Sequence, residues 1–227
     1  KQISAKKRTF IILFTLLILL FSNNNFVIEN LNFKFSNLEI QLGKFSLVFT
    51  IFSIFALYNA FNFIDGYNGV SISIVIFWIL FLFFSNPNII YLFTLVILIT
   101  LFFYNLAGKI FLGNSGTSLL SVFFSVSLIG DYNLNNYIYA DEILFILLIP
   151  GLDMIRVTIE RIITGKKVYA PDKIHFHHYL LRKKINYIWQ IILLLTLFPY
   201  LLIITTERIY LTFIISVILY LLIIYLL

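Results

Sequence analysis

Three histidines, His175, His177 and His178, fall within four consecutive positions, and the chain has no others. They lie in the run APDKIHFHHY, residues 170–179, inside the most basic polar stretch of an otherwise apolar sequence. Imidazoles gathered among cations suit the binding of an anion or the exchange of a proton near neutral pH. A second polar knot, NAFNFIDGYNG at 59–69, sets Asn59, Asn62 and Asp65 three residues apart, which places them on nearly one face of a helix. An ionisable group such as Asp65 at the end of an apolar span is costly to bury and marks a functional candidate. A plain helix stop, with Gly66 and Gly69 ending one helix and Asn68 turning into the next, would account for the same residues. The third knot, GKIFLGNSG at 108–116, offers backbone amides ahead of a helix expected from Thr117, where a phosphate could sit; a simple turn is the alternative. It is not a Walker loop, because Lys109 precedes the glycines and no Gly-Lys-Ser/Thr follows. Zinc is disfavoured at the histidines, which are crowded and have no cysteine to help. A solvated interfacial loop is the plainer reading of that segment.

The elements that position these knots follow from composition. With 61% hydrophobic and 11% charged residues, a chain of 227 cannot coat a water-soluble globule, and its apolar runs approach bilayer length. The expected fold class is all-α, a polytopic integral membrane helical bundle with about eight membrane segments. These are residues 10–21, 45–63, 70–85, 89–106, 117–130, 143–163, 187–205 and 209–227. The first run also has the look of a signal peptide, but it ends in SNNN with no small-residue cleavage site. Residues 22–44 are expected to be an irregular mixed-charge loop, 131–142 an acidic, Asn-rich loop, and 164–186 a basic histidine-bearing loop within one domain over 1–227. With no cysteine, disulfides and thiolate metal sites are excluded.

Threading those segments alternately, with Lys1 inside, puts all but Lys34, Lys44 and Arg208 of the 16 basic residues on one side. Lys and Arg near span ends mark the cytoplasmic face, so all three knots are expected there. The net charge of +6 is explained by this bias, and no basic face with interleaved aromatics points to nucleic acid. The sole methionine is Met154 and the chain opens at Lys1, from which an upstream segment is expected.

Taken in order, the three knots resemble the polyprenyl-phosphate N-acetylhexosamine-1-phosphate transferases. This family includes the enzymes that load GlcNAc-1-phosphate onto undecaprenyl phosphate and the phospho-MurNAc-pentapeptide translocase. NAFNFIDGYNG looks like its Asn-Ala-x-Asn-φ-x-Asp-Gly-x-Asp/Asn-Gly motif, and GKIFLGNSG like its Lys-φ-Phe-φ-Gly-Asp-x-Gly-Ser loop. Residues 150–178 match its ordered Pro, Asp, Arg, Arg, Gly and Pro-Asp-Arg/Lys-x-His-x-His-His. The resemblance implies a transfer in the bacterial cytoplasmic (inner) membrane, with the active site facing the cytoplasm. An N-acetylhexosamine-1-phosphate passes from a UDP-sugar to undecaprenyl phosphate, UMP is released, and a lipid-linked envelope glycan is begun. The partners implied are UDP-N-acetylhexosamine, undecaprenyl phosphate and membrane lipids. A homodimer is one assembly open to such an enzyme, although no small-xxx-small face marks an interface.

By the same resemblance Asp65, His175, His177 and His178 are catalytic. Asn59, Asn62, Asn68, Asn105, Lys109, Asp153, Arg156, Arg161 and Lys173 bind substrate. Magnesium, or manganese in its place, is the implied cofactor. Its ligands would be Asn114, standing where the family has an aspartate, and Asp65. An amide brings no charge, so weaker metal binding is expected at Asn114. The family's adjacent Asp-Asp pair would precede Lys1, so an N-terminally truncated chain is expected. A second hypothesis follows: a catalytically inactive relative that binds lipid phosphate or nucleotide sugar, or serves as a membrane scaffold. A transporter is a more distant third, and no internal repeat supports it.

Overall fold

Apolar runs bounded by Asn, Gly and Pro become helices close to where the sequence sets them. The computed structural model describes residues 5–135, 138–167 and 174–227. The order is α1 (Ala5–Ser22), β1 (Asn30–Asn32), β2 (Glu39–Gln41), α2 (Ser46–Ile64), α3 (Val70–Ser85) and α4 (Ile89–Leu106). Then follow α5 (Gly113–Asn135), α6 (Ala140–Ile163), the short α7 (Phe176–Arg182), α8 (Ile188–Thr206) and α9 (Ile209–Leu226). The bounds of α3 and α4 are those expected, because Asn-Pro-Asn leaves little choice: the Asn88 side chain accepts from the Ile90 N–H at 2.9 Å and caps α4. The fifth helix runs further than residues 117–130. Thr117, Ser118, Ser121 and Ser125 each return a hydroxyl to a carbonyl three or four residues back, so these polar residues are satisfied without leaving the helix.

Regular structure forms within the described parts of two expected loops. Residues 22–44 contain a short 3-10 turn and an antiparallel hairpin pairing Asn30 with Gln41, Leu31 with Ile40 and Asn32 with Glu39. Distant residues impose it. The Tyr132 hydroxyl donates to the Asn30 carbonyl at 2.9 Å and accepts from the Asn32 N–H at 2.7 Å. Asp141 accepts the Phe35 N–H at 2.9 Å, and Lys34 meets Glu142 at 3.1 Å. Within the basic segment, Phe176–Arg182 forms α7.

The centre of the bundle is α3, hydrophobic all round and therefore buried. Val70, Ile72, Ile74, Val75, Trp78, Ile79 and Leu82 are fully enclosed. Trp78 stacks on Phe124 at 4.7 Å and donates its indole N–H to the Ile146 carbonyl at 3.2 Å, tying α3 to α5 and α6.

The expectation of about eight membrane segments is corrected by length and apolarity. Eight long helices occupy the expected segments, yet among the described residues four stretches are long and apolar enough to cross a membrane: Gly43–Ile64, Ile89–Leu106, Ile188–Thr206 and Ile209–Leu226. The apolar part of α1 (Phe10–Ser22) and α3 (Val70–Ser85) are shorter. Hydroxyls dilute α5, and Asp141, Glu142, Asp153, Arg156, Glu160 and Arg161 charge α6.

Candidate functional site

The C-terminal ends of α2, α4 and α6 meet the N-terminal ends of α3, α5 and α8 at one end of the bundle. At the close of α2, Asn59 donates to the Phe55 carbonyl at 2.8 Å within its own helix. Asn62 likewise donates to the Tyr58 carbonyl, at 3.5 Å, and in addition accepts from the Thr117 hydroxyl of α5 at 3.0 Å. Asp65 caps α2 and accepts from the Ser71 hydroxyl at 2.7 Å. Burial pushes its carboxyl above the usual carboxylate range, against the Ser71 hydrogen bond.

The turn from α2 into α3 needs its glycines. Gly69 sits at φ +85, and a Cβ there would press on Leu106 and Trp189. A Cβ on Gly66 would run into the imidazole of His177. The Gly69 N–H donates to Asn105 Oδ1 at 2.6 Å, while Asn105 Nδ2 donates to the Ile110 carbonyl at 2.8 Å. Buried Asn105 therefore staples the first knot to the second. Asn68 lies beside Gly108, with its Nδ2 3.8 Å from where a Cβ would be. Lys109 is exposed, its ammonium 5.8 Å from the Tyr104 ring. Asn114 is exposed in the first turn of α5, one turn before Thr117.

The histidines come from the segment leading into α7. Their rings form one cluster, with His177 to His178 at 4.1 Å, His175 to His177 at 5.8 Å and His175 to His178 at 6.1 Å between centroids. Phe63, on the last turn of α2, lies 4.9 Å from the His175 ring and 4.9 Å from the Arg161 guanidinium. Arg161 is only 2% exposed. On α6, Asp153 Oδ1 accepts from Arg156 at 2.7 Å and from the Tyr220 hydroxyl at 2.8 Å. Its Oδ2 accepts the Phe176 N–H at 3.4 Å and lies 3.8 Å from His175 Nδ1. Arg156 also reaches Glu160 and donates to the Ile174 carbonyl at 2.6 Å.

His177 is the most perturbed of the three. Burial first, then His178 and His175, push it down to about 3, so its imidazole is neutral at pH 7. Its Nε2 is buried without a hydrogen-bond partner among the described residues. His177, Asp153 and Tyr220 border a narrow crevice closed by Ile64, Ile149, Phe176 and Ile192. A larger cleft, about 270 Å³, opens at the hairpin end between Asn24, Asn25, Asn30, Asn32, Tyr132 and Asn133, and none of the motif residues lines it.

Every expected site residue within the described residues thus belongs to this end of the bundle; Lys173 lies outside them. Sequence reasoning missed Ser71, Thr117, Phe63 and Tyr220, which hold or face the expected residues. Thr117 was signalled by the buried hydroxyl row Thr117, Ser121 and Ser125, spaced four apart. Among the described residues no group of three or more His, Asp or Glu is placed to hold a metal by itself. Asp65 supplies one carboxylate and Asn114, exposed on the first turn of α5, one amide, and magnesium is a cation that takes one or two carboxylates and fills its other positions with water and substrate phosphate. A cation beside Asp65 would also relieve the burial that raises its carboxyl.

A helical membrane-type bundle with three distant polar segments folded into one cationic, histidine-bearing end is the class that fold and site define. Residues 1–130 match the family described as Glycosyl transferase family 4, and the chain belongs to that family. It is 28% identical over 169 residues to an undecaprenyl-phosphate alpha-N-acetylglucosaminyl 1-phosphate transferase of Yersinia pestis, covering 68% of this chain and 46% of that protein. The enzyme of the same description from Escherichia coli (strain K12) is 27% identical over 168 residues, again 68% of this chain and 46% of the relative. A probable undecaprenyl-phosphate N-acetylglucosaminyl 1-phosphate transferase of Bacillus subtilis (strain 168) is 31% identical over 152 residues, 63% of this chain and 42% of the relative. The chain spans about half the length of the curated relatives it matches. No solved structure matches it.

Proposed function

We propose that the protein, at its full natural length, transfers an N-acetylhexosamine-1-phosphate from a UDP-sugar to undecaprenyl phosphate, releasing UMP and beginning a lipid-linked envelope glycan. The observation that carries this reading is the convergence of residues 59–69, 105–117, 153–161 and 174–182 at one end of the bundle. Their contacts are Asn62 with Thr117, Gly69 with Asn105, and Gly66 with His177. Family membership and the activities of the relatives supply the reaction class. In this reading the chain is one transferase domain seated in the bacterial cytoplasmic membrane, with the site end facing the cytoplasm. The bias of Lys and Arg toward that end supports the orientation.

In the transfer, an oxygen of the lipid phosphate attacks the sugar-bearing phosphorus of the UDP-sugar. The new P–O bond forms as the P–O bond to UMP breaks, and UMP leaves with the bridging oxygen and its electron pair. Magnesium, when bound with the substrate phosphates, supplies charge neutralisation at the reacting phosphates. Asp65 and Asn114 would hold it. Arg156, Arg161, Lys109 and Lys173 concentrate and orient the anionic substrates. Asn59, Asn62 and Asn68 shape the pocket from α2 and the turn after it. Asn105 acts by holding the turn before α3 against the 107–112 loop. His177, neutral at pH 7, offers a hydrogen-bond donor or acceptor to the pyrophosphate, with His175 and His178 beside it.

The test is UMP release from UDP-GlcNAc and related UDP-sugars by the natural-length protein in membranes, with and without undecaprenyl phosphate and magnesium. Release that requires the lipid, the metal and His177 supports the transferase. Absence of release across the panel, with lipid phosphate still bound, favours the inactive relative.

A further inference from the structure

The buried residues of α9 are Thr212, Ser216 and Tyr220, spaced four apart, and each carries a hydroxyl. A polar row on an apolar helix of membrane length is costly unless it is paired within the protein. Thr212 meets Thr206 across the turn between α8 and α9 at 3.1 Å. Tyr220, 1% exposed, reaches the candidate site: its hydroxyl donates to Asp153 Oδ1 at 2.8 Å and accepts from Arg156 Nε at 3.0 Å. The two groups it joins hold the histidine segment on both sides of His175. Arg156 donates to the carbonyl of Ile174 at 2.6 Å, and Asp153 accepts the N–H of Phe176 at 3.4 Å. The Tyr220 ring also packs on Phe176, 5.9 Å between centroids.

We infer that Tyr220 is a positioning residue for the histidines: its hydroxyl fixes the Asp153–Arg156 pair, which fixes the backbone at Ile174 and Phe176 and so aims His175 and His177. The guanidinium is held by Asp153, Glu160, the Ile174 carbonyl and Tyr220, and of these four only Tyr220 comes from outside α6 and the histidine segment. Loss of the Tyr220 hydroxyl would keep the ring packed on Phe176 while leaving Asp153 Oδ1 with one donor fewer and the Arg156 Nε–H without this acceptor. The histidine segment would then be held by contacts that no longer fix its angle. The role rests on the transferase reading for its kinetic consequence and on geometry alone for its structural one.

The experiment compares the natural-length protein in detergent with Tyr220→Phe and with Tyr225→Phe, an exposed tyrosine on the same helix. Two quantities are read: kcat and KM for UDP-sugar, and the rate at which diethyl pyrocarbonate modifies each histidine, resolved by peptide mass spectrometry. In Tyr220→Phe, kcat is expected to fall about tenfold, the rate equivalent of one hydrogen bond to a charged group, with KM little changed. His175 and His177 are expected to be modified several-fold faster, and Tyr225→Phe to match the parent in both readouts. Parent-like kcat and parent-like modification in Tyr220→Phe would overturn the inference. Should the parent release no UMP from any UDP-sugar, the transferase reading fails, and the modification rates alone decide the role of Tyr220. Should Tyr220→Phe not accumulate, hydrogen exchange of the parent decides: slow exchange at the Phe176 amide sustains the pinned segment, and exchange at the rate of an exposed loop overturns it.

Discussion

The two ends of this bundle differ in what they leave unrelieved, although both use a buried carboxylate to tie elements together, Asp153 at the histidine end included. At the hairpin end each buried carboxylate is spent on holding protein to protein. Asp131 accepts from Asn86 at 2.8 Å and Tyr91 at 2.7 Å, Asp141 accepts the N–H groups of Phe35 and Glu142, and Glu142 takes Lys34 and the Tyr139 N–H. Even the cleft there is walled by groups already engaged, since Asn133 donates to the carbonyls of Asn25 and Val27. At the other end burial pushes Asp65 up, and His177 is pushed down to about 3 with a buried ring nitrogen unpartnered among the described residues. Unrelieved polar burial costs stability, and perturbed titratable groups gathered in one place mark a candidate functional site. The hairpin end closes the fold, and the histidine end is the one for which substrate binding is proposed.

That contrast is broken most sharply by exchanging one residue from each end. His177→Ala is expected to lower transferase turnover about 10²- to 10⁴-fold with the melting temperature close to that of the parent. Asp141→Ala is expected to do the reverse. Orphaning the buried N–H of Phe35 should cost about 1–3 kcal/mol, seen as a lowered melting temperature in detergent, while turnover per folded molecule stays near the parent value. Equal effects of the two substitutions on both readouts would erase the distinction.

Gly66→Ala sharpens the contrast within the site end. The added methyl meets the His177 ring, so the imidazole must move, and turnover should fall while the hairpin end keeps its hydrogen-exchange protection. Acid should expose the same histidine. Unfolded, His177 takes its proton near 6.5; folded, it does so only near about 3, so its contribution to stability is intact above pH 6.5 and lost as pH falls toward 3. Asp65 works in the opposite sense, being raised by burial, so its contribution is present at low pH and lost as pH rises through its folded value. Melting temperatures of the parent and His177→Gln between pH 7.5 and pH 4 separate the two, with a shallower acid decline expected in the variant. The smallest effect is reserved for Asn114→Asp, which should tighten magnesium in an activity titration; an unchanged titration would refute the assignment of position 114 to the metal.

How much of this was legible in the sequence depends on how local the cause was. The bounds of α3 and α4 follow from Asn86, Pro87 and Asn88, which stop one helix and cap the next within three residues. The hairpin was not legible, because its register is imposed by Tyr132 and Asp141, about a hundred residues away. Asn59 and Asn62 share α2, with Asp65 its C-cap, but their uses diverge: both asparagines donate to their own helix backbone, and only Asn62 also reaches α5. Spacing alone could not separate them. Charges on α6 were read as site residues, but the burial of Arg161 against Phe63 and the bond of Arg156 to Tyr220 depend on how α2 and α9 pack. The row Thr212, Ser216 and Tyr220 was visible as a polar stripe on an apolar helix and is the one sequence signal that leads to Tyr220. The count of membrane crossings exceeded what length supports because hydropathy along the chain does not distinguish a helix buried in protein, such as α3, from one facing lipid.

The most direct test of the account is photolabelling of the natural-length protein in membranes with a photoreactive UDP-N-acetylhexosamine, followed by peptide mapping with and without excess UDP. UDP-sensitive labelling is expected in peptides containing residues 59–69, 105–117 and 174–182, with none in the hairpin at 24–41. Labelling of the hairpin end, or labelling that excess UDP does not reduce, would contradict it.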